Sequence, residues 1–240
     1  MKLYTSKGII FRTIKYSETS IICDIYTREK GLRSFIASGV RTTKAGSKAA
    51  IYQHLNLVEI ISFDQNSDKL SRIKEIKLDH HYRLINAHVV TSSVAIFMLE
   101  VSRNAIKERE PNSVLFDFLE EWLIFLDGCL TIHPCMHLIF MLELSNELGF
   151  GPMNNYNQSS SCFDMMEGTF SESISHEYSL NEDESEVFKN LLEVNRTSVS
   201  KITINKSVRN TITDHLITYF RLHISGFREL NSLEVLRCVL

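Results

Sequence analysis

The stretch Gly39-Val40-Arg41-Thr42-Thr43-Lys44-Ala45-Gly46-Ser47-Lys48 places three cations in a glycine-bearing segment with no intervening carboxylate. Flexible cations in such a segment can follow a chain of phosphates. Lys15, Arg28, Lys30 and Arg33 fall in neighbouring predicted strands and turns and would extend the track, with Tyr16, Tyr26 and Phe35 as candidate platforms for stacked bases. The same residues also suit a solvated loop beside a core that holds the aromatics, and pattern alone leaves both readings open. A phosphate-cradling P-loop is excluded, because the segment lacks the glycine spacing that ends in G-K-[ST].

Other chemistry finds less support. His133 and His137 stand four apart at a predicted helix start and could share a face as metal ligands, but no third ligand lies near them in sequence, so no metal is expected. Glu182, Asp183, Glu184 and Glu186 suit the N-terminus of the helix that follows them, where negative charge meets the positive end of the helix dipole. No G-x-S-x-G elbow, H-E-x-x-H pair or dinucleotide G-x-G-x-x-G occurs. A chain without catalytic activity and without a cofactor is therefore expected. The five cysteines (Cys23, Cys129, Cys135, Cys162 and Cys238) are scattered, with no C-x-x-C pair, and read as reduced thiols rather than a disulfide framework.

The elements that would carry these residues divide into two kinds. Residues 1–80 read as five short strands, at Ile9-Ile10-Phe11 and at residues 20–26, 32–37, 54–61 and 71–78, separated by polar turns. Five such strands suit a small closed barrel, an α+β chain in which the barrel comes first. After residue 80 the apolar period changes to that of a helix. Val94, Met98, Val101 and Ala105 share one face, and Val114, Leu115, Phe118, Leu119, Trp122 and Phe125 mark a second helix. Pro111 and Gly128 are expected to open and stop that second helix, and Pro134 and Gly149 a third. A polar loop and a β-like piece at about 152–180 interrupt the pattern, which resumes at residues 183–192, 208–223 and 232–240.

Charge follows the same division. Residues 1–80 carry 14 Lys and Arg against 8 Asp and Glu, a net +6, while the remainder carries 12 against 21, a net −9. A basic head joined to an acidic body hints at polyanion binding by the head. No apolar run approaches the length of a membrane span, and no secretory pattern opens the chain, so a cytoplasmic protein is expected.

The order of several landmarks resembles the RecO family of bacterial recombination mediators, nearly end to end. These are Gly8-Ile9-Ile10 leading to Tyr16-Ser17-Glu18, then Ile25-Tyr26-Thr27-Arg28-Glu29-Lys30-Gly31-Leu32 and Ala37-Ser38-Gly39-Val40-Arg41. Glu100-Val101, Arg109-Glu110-Pro111, Leu115-Phe116, residues 140–152 and the closing Tyr219-Phe220-Arg221-Leu222-His223 continue the resemblance. It implies an oligonucleotide-binding (OB) barrel at residues 1–80 and a helical domain at 81–240. It implies a mediator that binds single- and double-stranded DNA, anneals complementary strands and helps load RecA onto DNA covered by single-strand DNA-binding protein. RecR is the implied partner, and a nucleoid-associated location follows. Relatives that carry a four-cysteine zinc module place it where only Cys162 remains here, so no zinc is expected. Members take up the acidic, aromatic-ended tail of single-strand DNA-binding protein in the helical domain, for which Arg209, Arg221 and Arg228 are the candidate cations. Two rival readings stand beside this one: a protein–protein adaptor whose barrel holds a peptide, and a metal-dependent nuclease built on the acidic cluster.

Overall fold

Alternation of apolar and polar residues along five strands decides which side chains fill the first core. The computed structural model describes residues 3–41, 46–63, 70–107, 109–174 and 176–240. The chain divides into two compact units, one of Met1–His88 with Ile106–Cys129 and the other of Val89–Ala105 with Leu130–Leu240.

In the first unit, β1 (Leu3–Lys15), β2 (Ile21–Thr27), β3 (Gly31–Ala37), β4 (Leu57–Phe63) and β5 (Ser71–Leu78) form a closed barrel in the order β1-β2-β3-β5-β4. Ile10, Ile21, Cys23, Ile25, Phe35 and Ile60 point into its core. Seven residue pairs join β2 to β3, from Ile21 with Ala37 to Thr27 with Gly31. Among the described residues the closing seam is shorter, with β3 meeting β5 in parallel through Phe35 with Ser71 and Ile36 with Arg72.

Between β3 and β4 the chain forms a short helix, α1 (Gly46–Ile51), where the sequence suggested a loop running into a strand. Ile51 and Tyr52 pack on the barrel core, and that burial outweighs the poor helix propensity of Gly46 and Ser47. Asn56 Nδ2 donates to the carbonyls of Ala50 and Ile51, and Leu55 takes a positive φ of 76°. Residues 54–56 are thus the exit of a helix, and β4 begins only at Leu57.

Two helices lie close to residue 100 in sequence and belong to different units. Helix α2 (Val89–Ala105) is part of the second, whereas α3 (Ser113–Gly128), which the sequence grouped with the later helices, is in the unit of the barrel. Asn112 caps α3 by accepting from the Leu115 N–H, so Pro111 precedes the cap. Gly128 is the last helical residue and has no positive φ; Cys129, in extended conformation, ends the helix instead. Phe116 packs on Tyr26 at 6.1 Å between ring centres, and Tyr26 stacks on Phe11 at 5.4 Å. Aromatics on the outward side of β1 and β2 are therefore buried under this helix. Asp127 anchors the chain that leaves β5, accepting from the backbone N–H groups of Arg83, Leu84 and Ile85 at 2.8–3.0 Å.

In the second unit, α2 is joined by α4 (Met136–Glu147), α5 (Glu182–Leu192), α6 (Lys206–His223) and α7 (Leu233–Val239), around Phe97, Leu138, Phe140, Leu216 and Phe220. Gly149 ends α4 with a φ of 82°, as the sequence suggested, and the Phe150 N–H returns to the Ser145 carbonyl. Asn181 and Glu184 form a reciprocal capping box at the start of α5, which gives the acidic cluster there a structural role. The β-like piece is a hairpin of β6 (Cys162–Asp164) and β7 (Thr169–Ser171). Phe163 packs on Phe170 and Phe188, and Asp164 accepts from the N–H groups of Met166 and Glu167 while its other oxygen meets His176 at 3.1 Å. Glu100 of α2 is a buried carboxylate taken up by Asn231 and Ser232 at the start of α7.

Candidate nucleic-acid interface

Core-facing residues of β2 and β3 define, by elimination, what faces out. Ile14, Ile22, Ile36 and Arg72 stand opposite one another on successive strands and form one outward row across β1, β2, β3 and β5. Ile14 is 38% exposed, and Ile22 and Ile36 are half-buried. The next row holds Arg12, Asp24 and Ser34, with the Ser34 hydroxyl donating to Asp24 at 2.6 Å. Lys74 is exposed on β5 beside this surface.

At one end of the face lie the β1–β2 loop, residues 16–20, and the segment after β3. Arg41 ties the two together: its N–H donates to Thr19 O, and its guanidinium donates to Ser17 O at 2.9 Å and Glu18 O at 3.3 Å. Lys15 and Tyr16 are exposed at the same end. Among the described residues, none of Arg12, Lys15, Arg41, Arg72 and Lys74 lies within ion-pair distance of a carboxylate.

The cations singled out in the sequence do not all join this surface. Arg28 and Lys30 occupy the β2–β3 turn, at the far end of two seven-residue strands and so about 20 Å from the Arg41 end. Arg28 makes a two-pronged ion pair with Asp117 of α3 (Nε to Oδ1 2.7 Å, Nη2 to Oδ2 2.8 Å), and Lys30 lies over the Tyr4 ring at 5.5 Å. Arg33 stands opposite Ile25, on the core-facing side of β3 near the barrel end. Lys44 lies outside the described residues; Lys48 falls in α1, and its side chain is likewise outside them. Tyr26 and Phe35 are 1% and 0% exposed, so neither can stack a base. Arg12, Arg72 and Lys74 were missed in the sequence, although each stands where strand alternation turns a side chain outward.

The second unit carries the other candidate cations. Arg221 and Arg228 are exposed, with Met153, Met166 and Leu222 also exposed in that unit. Arg209 is only 4% exposed and its guanidinium donates to the Leu240 carbonyl at 2.7 Å. It precedes Ile212, Thr213 and Leu216 on the inward stripe of α6, which removes it from the surface. His137 is buried between α2 and α6, edge-on to Phe97 and 3.0 Å from the Thr213 hydroxyl, and burial pushes its pKa down to about 3. His133 instead accepts from the Cys135 N–H. Among the described residues no cluster of His, Cys, Asp and Glu suited to a metal ion is found, and Cys162 is a buried free thiol. No described helix is long and apolar enough to cross a membrane.

Residues 1–82 match the family model described as Recombination protein O N terminal, and residues 88–234 match Recombination protein O C terminal. The chain belongs to the Recombination protein O family. It is similar to proteins named DNA repair protein RecO along their whole length. That of Flavobacterium psychrophilum is 35% identical over 235 residues, covering 97% of both chains. That of Christiangramia forsetii is 32% identical over 235 residues, covering 98% of both, and that of Phocaeicola vulgatus 32% over 236 residues, again 98% of both. The RecO-like turn of residues 25–32 has a clear structural task in this chain. Tyr26 and Arg28 hold α3, the Thr27 hydroxyl closes on the Gly31 carbonyl at 2.8 Å, and Gly31 leaves room for the backbone of Arg109 and Glu110.

Proposed function

We propose that the chain acts in DNA repair and recombination as a non-catalytic mediator. In this reading it binds single- and double-stranded DNA on the outer β1-β2-β3-β5 face, anneals complementary strands, and helps load RecA onto DNA covered by single-strand DNA-binding protein. The observation that carries the reading is the surface around Ile36, where five cations without carboxylate partners among the described residues flank a partly exposed aliphatic row. That arrangement fits a polyphosphate chain, because each cation displaces condensed counterions and the β2–β3 face of an OB barrel is open to an extended strand. Annealing asks only that phosphate repulsion be offset while two strands meet, so no bond chemistry is required.

The second unit supplies the partner functions in this reading. Arg221 and Arg228, together with exposed apolar side chains, suit the acidic, aromatic-ended tail of single-strand DNA-binding protein, and RecR is the expected companion. Both fit a protein that works in the cytoplasm, at the nucleoid.

Fluorescence anisotropy with a labelled oligonucleotide tests the interface. About five phosphate contacts on a single strand give a log–log salt slope of about −3.5, and so a loss of about a hundredfold between about 50 and about 200 mM salt. Replacing Arg12 and Arg72 by Glu should lower affinity at least tenfold, while Arg28→Ala leaves it unchanged. An affinity indifferent to salt, or to the double replacement in a chain with wild-type circular dichroism, would refute the assignment.

A further inference from the structure

Proteins that hold single strands on OB barrels without sequence preference commonly stack successive bases on exposed aromatic rings. This barrel has its aromatics elsewhere. Phe11, Tyr26, Phe35, Tyr52 and Tyr82 are all 8% exposed or less. Tyr4 and Phe63 sit on the β1–β4 pair, and Lys30 lies over the Tyr4 ring. The outward positions of that face are Ile22, Asp24, Ser34, Ile36 and Arg72, none of which offers an aromatic platform. Residues 42–45 and 64–69 contain no aromatic residue in sequence. Among the described residues, Tyr16, 59% exposed in the β1–β2 loop, is the one ring open at the edge of the face.

Building on the DNA-binding reading above, we infer that the barrel grips nucleic acid by its sugar–phosphate backbone and leaves the bases unstacked and open to pair. The physical reason lies in the division of labour on the face. Arg12, Lys15, Arg41, Arg72 and Lys74 address phosphates, and the branched aliphatic side chains of Ile14, Ile22 and Ile36 offer contact to deoxyribose but no flat surface for a base. A base that is not sandwiched keeps its pairing edge free, so a second strand can pair with the first while the first is still bound. The ligand class that follows is broad: any polydeoxyribose phosphate, with its bases or without them.

Two measurements on the full-length chain decide this. The first compares anisotropy titrations of a thymine oligonucleotide with an abasic strand of equal length; affinities within about tenfold are expected, because only the one base beside Tyr16 can stack and one such base contributes on the order of fivefold. The second treats the thymine complex with permanganate, which attacks the thymine double bond only where the base face is open. Reactivity should equal that of the free strand at all but one position per bound protein, and that one should recover in Tyr16→Ala. A protected run of consecutive thymines, or an abasic strand bound tens of times more weakly, overturns the inference and leaves DNA binding itself standing. No anisotropy change with either strand overturns the DNA-binding reading and this inference with it.

Discussion

Replacing Asp127 by alanine removes the acceptor on which three consecutive backbone N–H groups converge. Arg83 is an exposed residue, but Leu84 and Ile85 are 7% and 1% exposed, and their N–H groups would be left without a partner. An orphaned buried N–H costs about 1–3 kcal/mol, so Asp127→Ala should destabilise the barrel unit by about 3–5 kcal/mol. That is about a fifth or more of the roughly 5–15 kcal/mol typical of a folded domain. Asp127→Asn keeps one acceptor oxygen and should cost roughly half as much. The chain provides its own reporter, because its single tryptophan, Trp122, is buried in the same helix. Urea titration followed by tryptophan fluorescence should show the midpoint of Asp127→Ala falling by about 2 M at an ordinary m-value.

The pH dependence has a definite sign. Burial opposes ionisation of Asp127, but hydrogen bonds from the N–H groups of Ile85, Arg83 and Leu84 and from His80 outweigh it and hold the carboxyl below its usual range. A depressed native pKa means stability that is present above the unfolded value of about 3.9 and is lost as pH falls through the native value. The gap between the wild-type chain and Asp127→Asn should therefore be full at neutral pH and close in acid. Midpoints of the two chains that coincide at pH 7, or a gap that widens in acid, would refute the account of this carboxylate.

Two further outcomes can be checked the same way. In the second unit Glu100 accepts from the N–H and side chain of both Asn231 and Ser232. Burial opposes its charge, yet these donors hold its pKa below the ordinary value, so Glu100→Ala should cost about 2–4 kcal/mol, with the same loss of advantage in acid, read by far-ultraviolet circular dichroism. Gly31 has a φ of 65°, and a Cβ placed there would lie 2.4 Å from the Glu110 carbonyl oxygen. Gly31→Ala should thus destabilise the barrel unit by about 1–3 kcal/mol, visible as an earlier Trp122 transition and absent from Gly128→Ala, where the surroundings are open and φ is not positive.

The strands and the longer helices were legible because their apolar residues repeat at the period of the element they form. Short α1 was not, since it begins with Gly46 and Ser47 and owes its turn to packing by Ile51 and Tyr52 and to the Asn56 side chain. The positive charge of the first 80 residues was equally plain, but sequence shows sign and not engagement. Asp117 lies 89 residues from the arginine it holds, and nothing local to Arg28 foretells the pairing. Arg12 and Arg72 could have been found by extending the alternation past the apolar runs to their polar neighbours. The burial of Tyr26 could not, because the helix that covers it is far along the chain.

The seam between β3 and β5 gives the barrel an uneven resistance to opening. A hoop fastened by two residue pairs at one joint and seven at the next should breathe first at the weaker joint. Arg72 sits on that clasp, beside Ile36 of the neighbouring strand. Whatever lies across the clasp and touches both strands also fastens it, so occupancy of the face and stiffness of the hoop become a single equilibrium, each favouring the other.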